Sequence, residues 1–417
     1  MFLKPLFLLE LMPKKNLNQF FEKFLKQDSL FINKKAMSAS FVPDQISHRD
    51  EQINQIAQIL APALKLEKPS NLFIYGKTGT GKTLSVKYTT ENILEVAKEN
   101  NIPIKVIYIN CKLKKVADTT YRLIAEIARY YGKTIPATGL PTDEVYNIFF
   151  SALDEKEQLL LLVLDEIDQL VKKTGDEIIY NLTRINSELK NSQISLIGIS
   201  NDLMFANHID PRVKSSLSEE ELIFPPYNAL QIQDILRKRA KESFKEGKID
   251  DGVIPKCAAY AAREHGDARR AIDLLRVAGE LAEREHAQKV EIKHIDLAEK
   301  KIERDRIVDI VKTQPKQFQA TLYSIFRLLY NKHKKRMIFT GDIYDIYKEK
   351  CPDMGLRPIT QRRISDIIAE LDMLGLINAK VVSKGRFGRT REIQLAIPTH
   401  LLDKINNLLI KELEINV

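Results

Sequence analysis

The octapeptide Gly76-Lys77-Thr78-Gly79-Thr80-Gly81-Lys82-Thr83 restricts the possible folds of this chain more than any other stretch. It matches the pattern G-x-x-x-x-G-K-[ST], which requires a strand before it and a helix after it. The apolar segment Asn71–Tyr75 predicts a buried strand, and Leu84–Glu99 predicts a helix. The glycines let backbone N–H groups turn inward, and the helix N-terminus adds a positive dipole end. We therefore predict a phosphate site in which Lys82 reaches the β- and γ-phosphates and the Thr83 hydroxyl binds Mg²⁺.

A second signal is the apolar run Leu159–Leu164, which is followed by Asp165 and Glu166. Such a run predicts a central parallel strand that is buried on both faces. Ligands of open α/β sheets bind at the carboxyl ends of the strands, so Asp165 is placed to hold Mg²⁺ and Glu166 to act on water. The alternative is that an apolar strand simply ends in two exposed acids.

A third signal is Asn201, which directly follows the apolar segment Ile194–Ser200. A polar amide at the end of a parallel strand can orient the attacking water and sense the γ-phosphate. The alternative is an asparagine turn before the next helix. The two earlier motifs favour the functional interpretation.

The order of the predicted elements indicates the fold class and the domains. Strands and helices alternate from residue 40 to 224, which predicts an α/β doubly wound parallel sheet in a nucleotide-binding domain over residues 37–226. Residues 227–312 show only helical periodicity and predict a small helical domain, the lid. Within it, the core-facing Ile272 and Leu275 require that Arg269 or Arg270 points away, where it can meet a phosphate. Residues 1–36 predict a basic tail.

Residues 317–417 predict a winged helix-turn-helix domain, because three helical segments precede two strands around a basic turn. The third helix begins after Thr360 as N-cap and exposes Gln361, Arg362 and Ser365 for the major groove. These residues hold 17 Lys and Arg against 11 Asp and Glu, an excess of six positive charges. The alternative is a winged helix that contacts protein. The wing residues predicted to contact phosphate or the minor groove are Lys384, Arg386 and Arg389.

Composition sets the class of partner and the compartment. The net charge is +9 and the isoelectric point is near 9.1, which favours an acidic partner, with nucleic acid first and a solvated basic surface as the alternative. The three cysteines are far apart and predict neither a disulfide framework nor a metal site, as expected of a reducing cytosol. No apolar run approaches the ~20 residues of a membrane span, so we expect no membrane partner.

The chain resembles the archaeal origin-recognition (ORC-type) replication initiators, which belong to the AAA+ ATPases and are related to eukaryotic origin-recognition and helicase-loading subunits. The likeness covers nearly all of the chain from about Phe41, whereas residues 1–36 match no motif. Besides the phosphate loop and the winged helix, it rests on the segments 47–52 (SHRDEQ), 139–146 (GLPTDEVY), 210–216 (DPRVKSS) and 266–270 (GDARR).

The resemblance implies a role for each matching residue. The catalytic roles are Walker A for Lys82 and Thr83, Walker B for Asp165 and Glu166, sensor 1 for Asn201, sensor 2 for Arg269, and arginine finger toward a neighbouring subunit for Arg212. The helix and insertion before Gly139 correspond to a second DNA-contacting element, in which Lys133 and Thr134 are our candidates. His48 and Arg49 fall in the segment that flanks the adenine. We also predict nucleotide contacts from Leu84, Tyr227 and Arg239.

The function that the resemblance implies is an ATP-dependent initiator that binds duplex origin DNA and helps recruit or load the replicative helicase. ATP or ADP with Mg²⁺ would act as the switch, with slow hydrolysis. Paralogous or identical initiator subunits would be partners on DNA, at the nucleoid in the cytoplasm. Two other functions stay open. A transcription regulator with a P-loop switch would need a sensor or repeat domain after the winged helix, and the sequence ends at Val417. A processive motor ATPase would turn ATP over rapidly.

Overall fold

The structure, a computed structural model, describes most of the chain. The described residues are 21–22, 28–38, 41–43, 45–112, 117–136, 138–205, 209–217, 219–330, 338–383 and 389–415, with only the backbone at 330, 383 and 389. The chain divides into two compact units, Met1–Ile295 and Asp296–Val417. Each unit has a hydrophobic core of its own.

The first unit is built on a parallel sheet with the strand order β2-β3-β4-β1-β5. The strands are β1 Leu72–Tyr75, β2 Ile104–Asn110, β3 Gln158–Asp165, β4 Ser192–Ser200 and β5 Glu220–Ile223. In this order β4 lies between β1 and β3. Because all strands run the same way, the phosphate loop after β1, Asn201 after β4 and Asp165 at the end of β3 meet at one edge of the sheet.

Helices cover both faces of this sheet. They are α1 Asp50–Leu60, α2 Lys82–Glu99, α3 Thr120–Arg129, α4 Thr142–Leu153, α5 Ile167–Thr174, α6 Glu177–Arg184 and α7 Pro211–Leu217. Leu160, Leu162 and Leu164 belong to one core cluster, and Leu159, Leu161 and Val163 to the other. Successive side chains of a strand point to opposite faces, so an unbroken apolar run is what a strand between two helical layers requires.

The remaining helices of the first unit form the lid. They are α8 Ala229–Ser243, α9 Val253–Arg263, α10 Ala268–Arg284 and the start of α11 Ile292–Thr313. Residues 28–38 pack on these helices, since Ile32 N donates to Ser243 O over 2.8 Å and the rings of Phe31 and Phe244 lie 4.3 Å apart. Of the sequence-predicted tail over residues 1–36, the described part from residue 28 onward is thus held on the lid by buried apolar side chains.

The second unit contains a helical layer and an antiparallel sheet with the order β6-β8-β7. Its further elements are α12 Lys316–Tyr330, β6 Ile338–Phe339, α13 Thr340–Lys350, α14 Gln361–Met373, β7 Ile377–Ser383, β8 Arg389–Leu395 and α15 Leu402–Glu412. Thr360 caps α14, because its hydroxyl accepts from Arg363 N over 3.4 Å. Ile364, Ile368 and Leu371 form the buried side of α14.

The predicted fold class is confirmed: an α/β domain with a doubly wound parallel sheet, a helical lid and a C-terminal winged helix. The sequence analysis did not predict α15, which packs against α12. Among the described residues, no helix is both long and apolar enough to cross a membrane.

Candidate functional site

Lys82 lies at the centre of the candidate site, as the first residue of α2, with its side chain buried. Its ammonium donates to the carbonyl oxygens of Gly76 and Lys77, each over 2.8 Å, and to Asn201 Oδ1 over 2.9 Å. All three acceptors are neutral, and within the described residues no acid forms an ion pair with Lys82. The positive charge is therefore positioned but not cancelled, as a site for an anion requires. The structure thus brings together Lys82 and Asn201, which the sequence predicted separately.

Gly79 and Gly81 give the phosphate loop its shape. Their φ angles are +68° and +91°, a conformation that side chains rarely adopt. A Cβ on Gly81 would also lie only 2.8 Å from the hydroxyl oxygen of Tyr227. The loop therefore passes directly beneath the lid, at a distance that a larger residue would not allow.

Asp165 and Thr83 form the candidate metal site. Thr83 Oγ1 donates to Asp165 Oδ2 over 2.9 Å, and the buried carboxylate also accepts at Oδ1 from Glu166 N over 3.0 Å. A hydroxyl and a carboxylate are the hard oxygen ligands that Mg²⁺ prefers. Among the described residues, no group of three or more His, Cys, Asp or Glu could hold a metal alone. The Thr83 hydroxyl and the Asp165 carboxylate therefore fit an Mg²⁺ ion that would be shared with the phosphate oxygens of a nucleotide.

Glu166 has a backbone conformation that is uncommon for its residue type. Its φ is +56° and its ψ is +45°, which is the left-handed region. Its carboxylate lies 3.6 Å from Lys112 Nζ and is largely shielded from solvent. Non-glycine residues in this conformation cost of order 1–3 kcal/mol and are common at functional sites. Glu166 thus lies beside Asp165 at the end of β3, in a conformation that makes it a candidate for a functional role.

The lid reaches the phosphate loop through the N-terminus of α10. Asp267 caps this helix by accepting from Arg269 N over 2.8 Å, and its other carboxylate oxygen lies 3.3 Å from Thr78 Oγ1. Arg269 is exposed, whereas Arg270 is partly buried and paired with Glu264. Arg269 is therefore the arginine of the pair that can meet an anion beside the loop.

A cavity of about 570 Å³ opens between the phosphate loop and the lid. Its walls include Leu84, Tyr227, Arg239 and Arg269, four of the residues that we predicted to contact the nucleotide. Arg239 is buried without an ion-pair partner among the described residues, and burial lowers its pKa. It donates to the carbonyl oxygens of Ala36 and Phe41, so it also holds the N-terminal segment that forms part of the wall.

The predicted adenine-flanking residues His48 and Arg49 have different surroundings. The His48 ring bonds to Asp234 of α8 over 2.9 Å and is not part of the cavity wall. Arg49 is buried, lies 3.9 Å from the centre of the Tyr227 ring and donates to Thr80 O over 2.8 Å. Burial lowers its pKa. Arg49 thus braces the back of the phosphate loop rather than lining the cavity.

Arg212 lies apart from this site, at the start of α7. Its guanidinium makes two bonds of 3.1 Å to Asp210, and 75% of the side chain is exposed. The structure therefore does not bring Arg212 to the phosphate loop of its own chain. An exposed position is what a residue that acts on a neighbouring subunit requires.

The winged-helix residues lie around a second cavity, of about 490 Å³. Gln361, Arg362 and Ser365 line it from α14, as the sequence predicts for one helix face. Arg391 of β8 lines it too and donates to Ser365 O over 2.6 Å. Lys384 and Arg386 lie outside the described residues, and the structure describes only the backbone of Arg389.

The second predicted DNA element lies in the loop between α3 and α4. Lys133 and Thr134 are exposed there, and the Tyr121 hydroxyl holds the loop by donating to Pro136 O over 2.7 Å.

Three residues around the two sites were not predicted: Tyr108, Asp267 and Arg391. Asp267 could have been found as an N-cap residue before Ala268, and Arg391 by its period-two spacing from Arg389.

The lowered pKa of Lys82 predicts that nucleotide binding depends on pH. Burial is the main cause that lowers its pKa to about 8; the charge of Asp165 opposes this and that of Arg269 adds to it. A bound triphosphate raises the pKa again, so at pH 8.5 nucleotide binding should be accompanied by proton uptake, and affinity should fall as the pH rises above about 8. Calorimetry in two buffers of different ionisation enthalpy measures the uptake. A binding heat that is independent of the buffer would contradict this assignment.

Three domain families match successive parts of the chain: the AAA domain over residues 66–203, the Cdc6 AAA+ ATPase-type lid domain over 233–300, and the CDC6 C-terminal winged helix domain over 309–404. The chain is 54% identical over 397 residues to an ORC1-type DNA replication protein of Pyrococcus horikoshii, covering 94% of this chain and 93% of the relative. It belongs to the ORC1-type DNA replication proteins. An ORC1-type relative from Methanosarcina mazei is 49% identical over 390 residues, covering 94% and 93% of the two chains.

Solved structures agree with this family. The ORC1 protein of Aeropyrum pernix, solved in complex with DNA, has a TM-score of 0.83 at 44% identity and covers 92% of this chain and 98% of its own. Cdc6p of Pyrobaculum aerophilum has a TM-score of 0.58 at 22% identity, covering 93% and 99%, and supports the fold alone. The archaeal ORC/Cdc6 family that the sequence motifs indicated is thereby confirmed.

Proposed function

We propose that this ORC1-type chain is a replication initiator that binds duplex DNA at origins and uses bound ATP as a switch. The observation that carries the proposal is the contact between the lid and the phosphate loop. Asp267 caps the lid helix α10 beside Thr78, and Arg269 lies in the first turn of that helix. On the other side of the junction, Lys82 and Thr83 begin α2 and Asp165 ends β3. A nucleotide at this junction would touch both the sheet and the lid, so ATP and ADP would favour different lid positions.

DNA binding is supported by the second unit and by the relatives. Arg362 is exposed on α14 beside Gln361, and the chain from residue 317 onward carries an excess of six positive charges. The Aeropyrum pernix ORC1 protein, 44% identical to this chain, was solved in complex with DNA. We propose that α14 enters the major groove and that the wing meets the backbone or minor groove. Recruitment or loading of the replicative helicase would be the output.

Hydrolysis would depend on residues of two subunits. Glu166 would accept a proton from water, Asn201 would orient that water, and Lys82 and Arg269 would stabilise charge on the phosphates. Mg²⁺ held by Thr83 and Asp165 would neutralise charge on the phosphate oxygens. Arg212 points into solvent in its own chain, so an identical or paralogous subunit on DNA would have to bring its arginine to the phosphates.

The rate of hydrolysis tests the switch against a motor. An arginine finger is worth about 10³–10⁵ in rate, so a monomer that lacks one should hydrolyse ATP far more slowly than about one per second. The measurement is steady-state phosphate release by the purified chain without DNA. Turnover of many ATP per second would contradict a switch and favour a motor ATPase.

A further inference from the structure

Tyr108 of β2 lies in the candidate site, although no motif drew attention to it. Ile104, Val106 and Tyr108 share one face of this strand and pack against the core that includes Val86 of α2. The register pairs Asn110 with Asp165, which places Tyr108 two residues before the partner of that aspartate. Its side chain therefore lies between the end of β3 and helix α2.

The Tyr108 hydroxyl contacts the carboxylate that would share the metal. It donates to Asp165 Oδ2, the same oxygen that accepts from Thr83 Oγ1 over 2.9 Å. With Glu166 N bonded to Oδ1, the protein fixes both oxygens of Asp165.

Lys87 lies over the face of the Tyr108 ring. It lies one helical turn after Thr83 on α2, and its Nζ is 4.3 Å from the centre of the ring. A cation over an aromatic face is attracted to it, so the ring is held between Lys87 and Asp165. One face of α2 thus contributes both the hydroxyl ligand and the residue that restrains the tyrosine.

We infer that Tyr108 is a positioning residue. Its hydroxyl holds the Asp165 carboxylate in place for Mg²⁺. The inference rests on the proposed nucleotide site and adds a residue that acts through Asp165. A carboxylate that binds a metal is itself oriented by hydrogen bonds, and the loss of such a partner typically costs about 10–100-fold in metal affinity. If the Thr83 hydroxyl turned from Asp165 to the ion, the Tyr108 hydroxyl would still restrain the Asp165 carboxylate.

The test is the Mg²⁺ dependence of nucleotide binding in Tyr108→Phe, which removes only the hydroxyl. The affinity for a fluorescent ATP analogue is measured across a titration of free Mg²⁺ and in EDTA. The variant should need at least about 10-fold more free Mg²⁺ to reach half of the Mg²⁺-dependent gain in nucleotide affinity. Its nucleotide affinity in EDTA should be unchanged. Lys87→Met should give a smaller shift in the same direction, because the ring keeps its hydroxyl and loses a restraint.

The matched control is Tyr121→Phe, which removes a hydroxyl whose acceptor is the Pro136 carbonyl and should not shift the titration. An unchanged Mg²⁺ midpoint in Tyr108→Phe would overturn the inference. An affinity that falls equally with Mg²⁺ and in EDTA would also overturn it, because that result indicates a structural role. If the wild-type chain bound no nucleotide under either condition, the proposed nucleotide site itself would be wrong.

Discussion

Lys82→Ala is expected to weaken ATP and ADP binding by about 30-fold or more, because truncating one partner of a buried charge pair costs about 2–5 kcal/mol and each 1.4 kcal/mol is tenfold. The Lys82 ammonium is buried and bonded to three neutral oxygens, so its loss leaves no other charge at the same point. Equilibrium binding of a fluorescent nucleotide measures the effect. Lys77→Ala is the comparison: the Lys77 side chain bonds to His265 of the lid rather than turning into the loop as Lys82 does, so this variant should lose much less affinity.

Glu166→Gln is the second half of this prediction. Glutamine has nearly the same shape, and the Glu166 carboxylate lies beside Lys112 rather than on Lys82 or Thr83. ATP affinity should therefore stay within about threefold, whereas hydrolysis should fall by about 10²–10⁴, the usual contribution of a general base. Single-turnover hydrolysis measures the chemical step. Equal loss of nucleotide from both variants would contradict the separate roles of Lys82 and Glu166.

Arg362→Ala is expected to weaken duplex binding by about 5–150-fold if the arginine reads a base, since one bidentate contact is worth about 1–3 kcal/mol and each 1.4 kcal/mol is tenfold. The side chain is exposed at the start of α14, and within the described residues no acid pairs with it. Its neighbour provides the control. Arg363 lies 3.8 Å from Asp366 and 3.7 Å from Glu370, so Arg363→Ala should change affinity much less. Anisotropy titrations with a labelled duplex compare the two variants.

Unlike α14, which we expect to read bases, the wing should act through phosphate contacts. Each phosphate contact contributes about 0.9 to the slope of log K against log[salt], so changing Arg386 and Arg389 together to Ala should flatten the slope by about two. Affinity should fall on every duplex sequence alike, because backbone contacts carry no base information. An unchanged slope would show that the wing does not contact the DNA phosphates. Equal effects of Arg362→Ala and Arg363→Ala would show that Arg362 of α14 does not read a base.

Much of the fold and of the phosphate site could be predicted from the sequence, because local rules determine it. The phosphate loop tolerates few residue types, and an apolar run such as Leu159–Leu164 is compatible only with burial on both faces. Asn201 and Lys82 were predicted separately, and they meet because parallel strands end at a common edge. Boundaries such as that of α14 followed from a single cap residue, Thr360.

The contacts that escaped prediction are those between elements distant in sequence. A tyrosine within a strand such as Tyr108 looks like any packed aromatic residue until the pairing of β2 with β3 shows which carboxylate it reaches. The pattern of residues 28–38 gave no sign of the lid surface on which they pack. Arg49 was predicted in a segment that flanks the adenine, but the direction of its side chain depends on the stacking with Tyr227, which no local rule specifies.

The central claim is that the nucleotide at Lys82 controls how the chain binds DNA. The most direct measurement is a footprint on genomic DNA of the source organism, made with the Glu166→Gln variant loaded with ATP and with ADP. The account predicts protection of discrete origin sites whose extent or affinity differs between the two nucleotides, and no such difference for Lys82→Ala. Identical footprints with ATP, with ADP and in Lys82→Ala would contradict it.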